Sequence, residues 1–128
     1  MTGLHILVVE DCTDTAASLA FFLRYHGHQV RLASDGPTAI ARARADKPDV
    51  VLLDIALPGI NGYDVARQLR EDLFDKPPLI LAVTGYGQES DRRRGEEAGI
   101  DMHLVKPIDP LLLRNILSRF AQVVGCDP

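Results

Sequence analysis

Tryptophan is absent from the 128-residue chain and aromatic residues make up 5% of it. That is too little to build the aromatic-rich pocket of a flavin carrier. Only two cysteines occur, Cys12 and Cys126, which excludes the disulfide framework that staples small secreted domains. No apolar run approaches the ~20 residues of a membrane span, and the start MTGLHILVVED has neither a basic leader region nor a cleavage site. Basic residues are the minority: 14 Lys and Arg face 18 Asp and Glu, for a formal net charge of −4. A nucleic-acid-binding face needs the opposite balance to neutralise phosphates. Repeats, low-complexity tracts and Ser/Gly-rich linkers are also missing, so nothing divides the chain. The expectation is a single soluble, cytoplasmic domain over residues 1–128, with no nucleic-acid or membrane partner for this segment.

What is present is globular in character. Hydrophobic residues reach 46% and charged residues 25%, which excludes disorder. Five short apolar runs recur at His5–Val9, Gln29–Ala33, Val50–Leu53, Leu79–Val83 and Met102–Val105. Runs such as ILVV and VVLL are too short for helices, rich in branched residues and without alternation, the pattern of strands covered on both faces. Helical segments separate them. Asp14 is placed to cap the first, with Leu19, Phe22, Leu23 and His26 on one face and Gly27 at its end. Pro37 suits the first turn of the second, which carries Ala39, Ile40 and Ala43. The third follows Asn61-Gly62 and turns Val65, Ala66 and Leu69 inward; the fourth, about Glu89 to Ala98, is very polar and contains Gly95. The fifth has Asp109 as cap, Pro110 at its first position, and Leu113, Ile116, Leu117 and Phe120 inward. Five alternating strand–helix units predict a doubly wound α/β sandwich with right-handed crossovers. In such folds the site lies at the carboxyl ends of the strands.

Those ends are polar. The first strand runs into Glu10-Asp11, the third ends at Asp54, the fourth at Thr84-Gly85 and the fifth at Lys106-Pro107. Three carboxylates in one place repel one another unless a cation is bound. An all-oxygen cluster with room for water suits Mg²⁺, or Mn²⁺, better than zinc. A carboxylate is also a competent nucleophile toward phosphorus. With a divalent ion and Lys106 to offset phosphoryl charge, and Thr84 to donate a hydrogen bond, the arrangement supports phosphoryl transfer onto a carboxylate.

The segments LVVED, VVLLDIALPGINGYD, AVTGYG and HLVKP resemble the motifs of the receiver domain of two-component response regulators. The likeness covers about residues 4–122, with Thr84 and Lys106 standing 30 and 52 residues after Asp54. It implies a flavodoxin-like five-stranded parallel sheet of order 2-1-3-4-5. It further implies that Asp54 is the phosphoacceptor, charged from a phosphohistidine on a histidine kinase or histidine phosphotransfer domain. By the same likeness Asp11 binds Mg²⁺ directly and Glu10 through water, together with Asp54 and the backbone carbonyl of Ala56. Thr84 and Lys106 would contact the phosphoryl group, and Lys106-Pro107 would be a cis peptide. The stretch TGYGQESDRRRGEEAGIDMHLVKP is most similar to receivers at the C-terminus of hybrid sensor histidine kinases.

Some positions depart from the family's habit. His103 stands where an aromatic switch residue is usual; it is either such a switch, moving with Thr84, or a polar residue on the outer face of the strand. Cys12 is either loop filling or a redox-sensitive neighbour of the acidic pair. His5, His26 and His28 show no metal-ligand spacing and read as structural. The run Arg92-Arg93-Arg94 is either a solvated helix face or a docking or dimer surface, and surplus Leu111, Leu112 and Ile116 mark either loose packing or a homodimer interface along the fourth helix, fifth strand and fifth helix. Two other functions compete. A phosphorylation-independent pseudo-receiver would not need the full set Glu10, Asp11, Asp54, Thr84 and Lys106. An aspartate-nucleophile phosphatase needs an acid two residues after its nucleophile, where this chain has Ala56. The sequence therefore reads as a phosphoacceptor signalling domain rather than an enzyme.

Overall fold

Every apolar run identified above becomes a parallel strand. The computed structural model describes residues 3–85 and 92–124. In chain order the elements are β1 (His5–Val9), α1 (Thr13–Tyr25), β2 (Gln29–Ala33), α2 (Gly36–Asp46), β3 (Val50–Asp54), α3 (Gly62–Asp72), β4 (Leu79–Thr84), α4 (Arg92–Ala98), β5 (Met102–Val105) and α5 (Pro110–Val123). The sheet order is β2-β1-β3-β4-β5, all parallel, as expected from the resemblance.

The lack of alternation in the strands has its cause in two cores. Leu7, Val9, Val51 and Leu53 pack on one side against Ala39, Ala43, Val65 and Leu69 of α2 and α3. On the other, Ile6, Val8, Leu52 and Leu81 pack against Ala20, Leu23, Leu113 and Leu117 of α1 and α5. With both faces buried, neither residue parity can be polar.

Local signals set most helix starts. The Asp35 side chain accepts from Thr38 N at 2.8 Å, Asn61 from Asp64 N at 3.0 Å, and Asp109 from Leu111 N at 3.0 Å. The first helix departs from expectation. Cys12, not Asp14, holds the N-cap position, and Asp14 lies in the first turn, where its charge complements the helix dipole. His26 is exposed at the C-cap rather than on the inward face, stacked edge-on against Phe22 at 4.6 Å. Ala16 and Ala20 take the inward places instead. His28 is structural: its Nδ1 accepts from Leu4 N at 3.1 Å and ties the β2 approach to β1. The expected start of the fourth helix at Glu89, and Cys126, lie outside the described residues.

Gly95 shows why α4 carries a residue that ordinarily weakens helices by about 1 kcal/mol relative to Ala. A Cβ there would lie 2.5 Å from His103 Cε1 and 2.8 Å from His103 Nε2. The imidazole thus packs directly against the backbone of α4, and a side chain would displace one or the other. Gly95→Ala is therefore expected to lower stability, by about 1–3 kcal/mol as for overpacking, instead of raising it. Urea denaturation of Gly95→Ala with and without His103→Ala checks this: the alanine at position 95 should become neutral or stabilising once the imidazole is gone.

Candidate functional site

Backbone pairing at the strand ends places each site residue. Glu10 N donates to Ala33 O at 2.9 Å and carries the β1 ladder one residue further. Asp54 closes β3 opposite Val83, and Lys106 N donates to Thr84 O at 2.7 Å just past β5. Gly62 allows the first turn of α3 to sit on this edge: a Cβ there would lie 2.6 Å from Ile55 Cα and 2.9 Å from Asp54 O.

Glu10 and Asp54 are 5% and 4% exposed, so both carboxylates leave water on folding. The Lys106 ammonium answers them both, donating to Glu10 Oε1 at 2.7 Å and Asp54 Oδ2 at 3.0 Å. Backbone amides take the remaining oxygens: Cys12 N donates to Glu10 Oε2 at 3.1 Å, and Ala56 N to Asp54 Oδ1 at 2.9 Å. Burial still raises the Glu10 pKa above its ordinary 4.5, against the lowering pull of Lys106. Lys106 is also partly desolvated, but its two carboxylate partners win and raise its pKa above 10.5. Asp11 differs. It is exposed, and oxygens of Glu10, Asp11 and Asp54 lie within 4.8 Å of one another.

The structure thus brings Glu10, Asp11, Asp54 and Lys106 together, with Ala56 exposed in the adjoining loop. Lys106-Pro107 is cis. Thr84, 2% exposed, ends the neighbouring strand, and its hydroxyl donates to Leu104 O at 3.4 Å. His103, half-buried, lies against α4 rather than on an outer face. Cys12 is exposed at the rim, where hydrogen bonding from Thr15 lowers its thiol pKa. Sequence reasoning missed Tyr63. This ring is buried on the first turn of α3, and the Arg94 guanidinium stacks over it at 4.6 Å. The only trace in the sequence was an aromatic residue directly after the Asn61-Gly62 helix start.

The donor set is all oxygen and has one solvent-facing carboxylate, so the chemistry fits a hard divalent cation. Residues 6–118 match the model of the response regulator receiver domain. The chain belongs to that family. Receiver domains are signalling domains of two-component systems that bind Mg²⁺ at an acidic cluster and interact with histidine kinases or phosphotransfer proteins. This receiver domain is 41% identical to PilH of Pseudomonas aeruginosa over 105 residues, covering 82% of this chain and 87% of PilH. It is 37% identical to the response regulator PleD of Caulobacter vibrioides, where 94% of this chain spans 27% of PleD. Among solved structures, the receiver domain of sensor histidine kinase PA1611 of Pseudomonas aeruginosa has a magnesium ion coordinated in its active site cleft. It superposes with a TM-score of 0.82 at 32% identity, covering 93% of this chain and 98% of that one. The receiver domain of Ssk1 of Saccharomyces cerevisiae, in complex with the phosphotransfer protein Ypd1, gives 0.83 at 25% identity, covering 93% and 89%. No helix among the described residues is long and apolar enough to cross a membrane.

Breaking the Lys106 bridge tests the electrostatics of this receiver domain. Lys106→Met leaves two buried carboxylates without their cation, and about 3 kcal/mol of stability should be lost at pH 7, the low end for a broken buried pair. Mg²⁺ should recover part of it by restoring positive charge. The pH dependence has a definite sign. Glu10 binds its proton more tightly folded than unfolded, so stability falls as pH rises from about 4.5 through the raised pKa. The mutational loss should accordingly shrink in acid, as chemical denaturation at pH 4.5 and pH 7 would show.

Proposed function

We propose that Asp54 accepts a phosphoryl group from a phosphohistidine of a histidine kinase or histidine phosphotransfer domain, and that the domain transmits the change as a shift of α4. The observation that carries this reading is the Lys106 ammonium held between Asp54 and Glu10, beside solvent-facing Asp11. An Asp54 carboxylate oxygen attacks phosphorus, the P–N bond breaks, and the imidazole leaves with the electron pair and regains a proton. Lys106 turns from the carboxylates toward the new phosphoryl oxygens. Thr84 gives up Leu104 O and donates to the phosphoryl group, and His103 is the side chain that follows on the neighbouring strand. Mg²⁺, or Mn²⁺, when bound would offset charge on the phosphoryl oxygens. Asp11 suits direct ligation. Glu10 would contact the ion through water, as the resemblance implies. Asp54 and the Ala56 carbonyl would complete the ligand set.

The donor's approach has a structural counterpart. A groove of about 640 Å³ runs beside Lys106 between α1 and the start of α5, walled by Leu19, Phe22, Pro107, Ile108 and Pro110. Its apolar walls suit a helix of the partner, with the phosphohistidine at its Lys106 end. A homodimer through the α4–β5–α5 face belongs to the same reading, supported by exposed Met102, Val105, Leu111 and Leu112. So does a cytoplasmic setting. Placement in a hybrid sensor kinase draws on the likeness to the PA1611 receiver.

Acetyl phosphate with Mg²⁺ is expected to add one phosphate, labile to base and hydroxylamine as acyl phosphates are. Asp54→Asn should abolish it, and persistent labelling of that variant would refute the assignment. Ile108→Ser should slow transfer from a phosphotransfer domain roughly tenfold, as for one lost apolar anchor. Labelling by acetyl phosphate should stay unchanged in that variant, and mass spectrometry of both reactions reads the difference.

A further inference from the structure

We infer that Arg94 is a positioning residue: by stacking on Tyr63 it holds α4 in its unmodified seat and so limits how readily the site keeps a phosphoryl group. The inference rests on the phosphoacceptor reading above and names a restraint on it.

The two partners belong to parts of very different rigidity. Tyr63 is fixed to the frame of the site. It follows Gly62, whose N–H donates to Ile55 O at 3.0 Å and whose Cα side faces Asp54 O, and its ring is buried in the core under α2 and α3. The described helix α4 has seven residues, of which Gly95 and Ala98 are buried. Neither brings a large apolar side chain to the core, so among the described residues α4 contributes less apolar packing than the other helices. Among the described residues, two ring contacts meet it on the side of the site. His103 lies against Gly95, and a Cβ on Gly95 would stand 3.7 Å from Tyr63 Cε1, so the two rings flank one turn of α4. Arg94, the preceding residue, reaches across and places its guanidinium carbon 4.6 Å from the Tyr63 ring centroid. The Arg93–Glu97 pair at 3.7 Å lies within α4 and gives no hold on the rest of the domain.

A shift of α4 away from α3 must give up the Arg94–Tyr63 contact. Whatever stabilises the unmodified seat is subtracted from the affinity of the site for the group that drives the shift, by linkage. An exposed cation–π contact of ordinary strength corresponds to a factor of about two to five in that equilibrium. Arg93 and Arg94 therefore differ: Arg93 pairs along its own helix, and Arg94 crosses to α3.

Beryllofluoride with Mg²⁺, a mimic of the phosphoryl group, tests this on the intact chain. Arg94→Ala should bind it about two- to fivefold more tightly than the parent, with Arg94→Lys between the two. Ala is the strongest helix former at an exposed position, so the variant retains its fold. In NMR spectra the Arg94 side-chain N–H signal should carry a ring-current shift that disappears when beryllofluoride binds. Equal or weaker binding by Arg94→Ala, or a ring-current shift that survives in the bound state, would overturn the proposal. If the parent chain does not take up beryllofluoride at all, the phosphoacceptor reading itself fails, an outcome distinct from either of these.

Discussion

A single ammonium, that of Lys106, makes it possible for two carboxylates to be buried side by side at the end of this sheet. Taking Glu10 and Asp54 out of water is costly, and their mutual repulsion adds to the cost. Lys106 offsets both because cross-strand pairing delivers its Nζ between them, and backbone amides from Cys12 and Ala56 occupy the oxygens it leaves. The balance is incomplete, as the raised Glu10 pKa records. A site in that condition gains when a further cation arrives, and a new dianionic group gives Lys106 somewhere else to point. The local electrostatics thus hold the unmodified state together and favour its conversion.

At the amino ends of the strands, Arg70 donates to Gly99 O at 2.8 Å, Pro78 O at 2.7 Å and Asp101 Oδ2 at 2.7 Å, while the same Asp101 oxygen accepts from Ile80 N. That network fixes the turn after α4 to α3 and to the start of β4. At the carboxyl ends, α4 is seated by ring contacts at Tyr63 and His103. A helix anchored at its C-terminal end pivots more readily than it slides. Thr84 ends the adjoining strand, and among the described residues its hydroxyl donates a long bond to Leu104 O.

Much of this was legible in the chain. Buried parallel strands read directly as unbroken branched runs, and Asn61, Asp109-Pro110 and Pro37 announced helices because capping is a contact of three or four residues. Where local signals competed, the reading slipped. Asp14 is a good cap by type, yet the chain enters α1 two residues earlier because Glu10 must stay in register with Ala33. His26 fits the apolar spacing of α1 but falls at the helix end, past the last residue that the sheet covers. Tyr63 and Arg94 gave no joint signal at all, since they are 31 residues apart and on different helices.

The sequence alone determined the element order, the two-faced burial of the strands and the convergence of Glu10, Asp11, Asp54, Thr84 and Lys106 on one edge, because periodicity, capping and strand ends are properties of a few neighbouring residues. Tertiary structure decided that Lys106 bridges two of the carboxylates, that Thr84 turns toward Leu104, that His103 requires a glycine opposite it, and that Arg94 crosses to α3. Those outcomes depend on distances of a few ångströms between elements far apart in the chain. Such distances are set by how all the helices pack on the sheet at once, and no short stretch of residues encodes them.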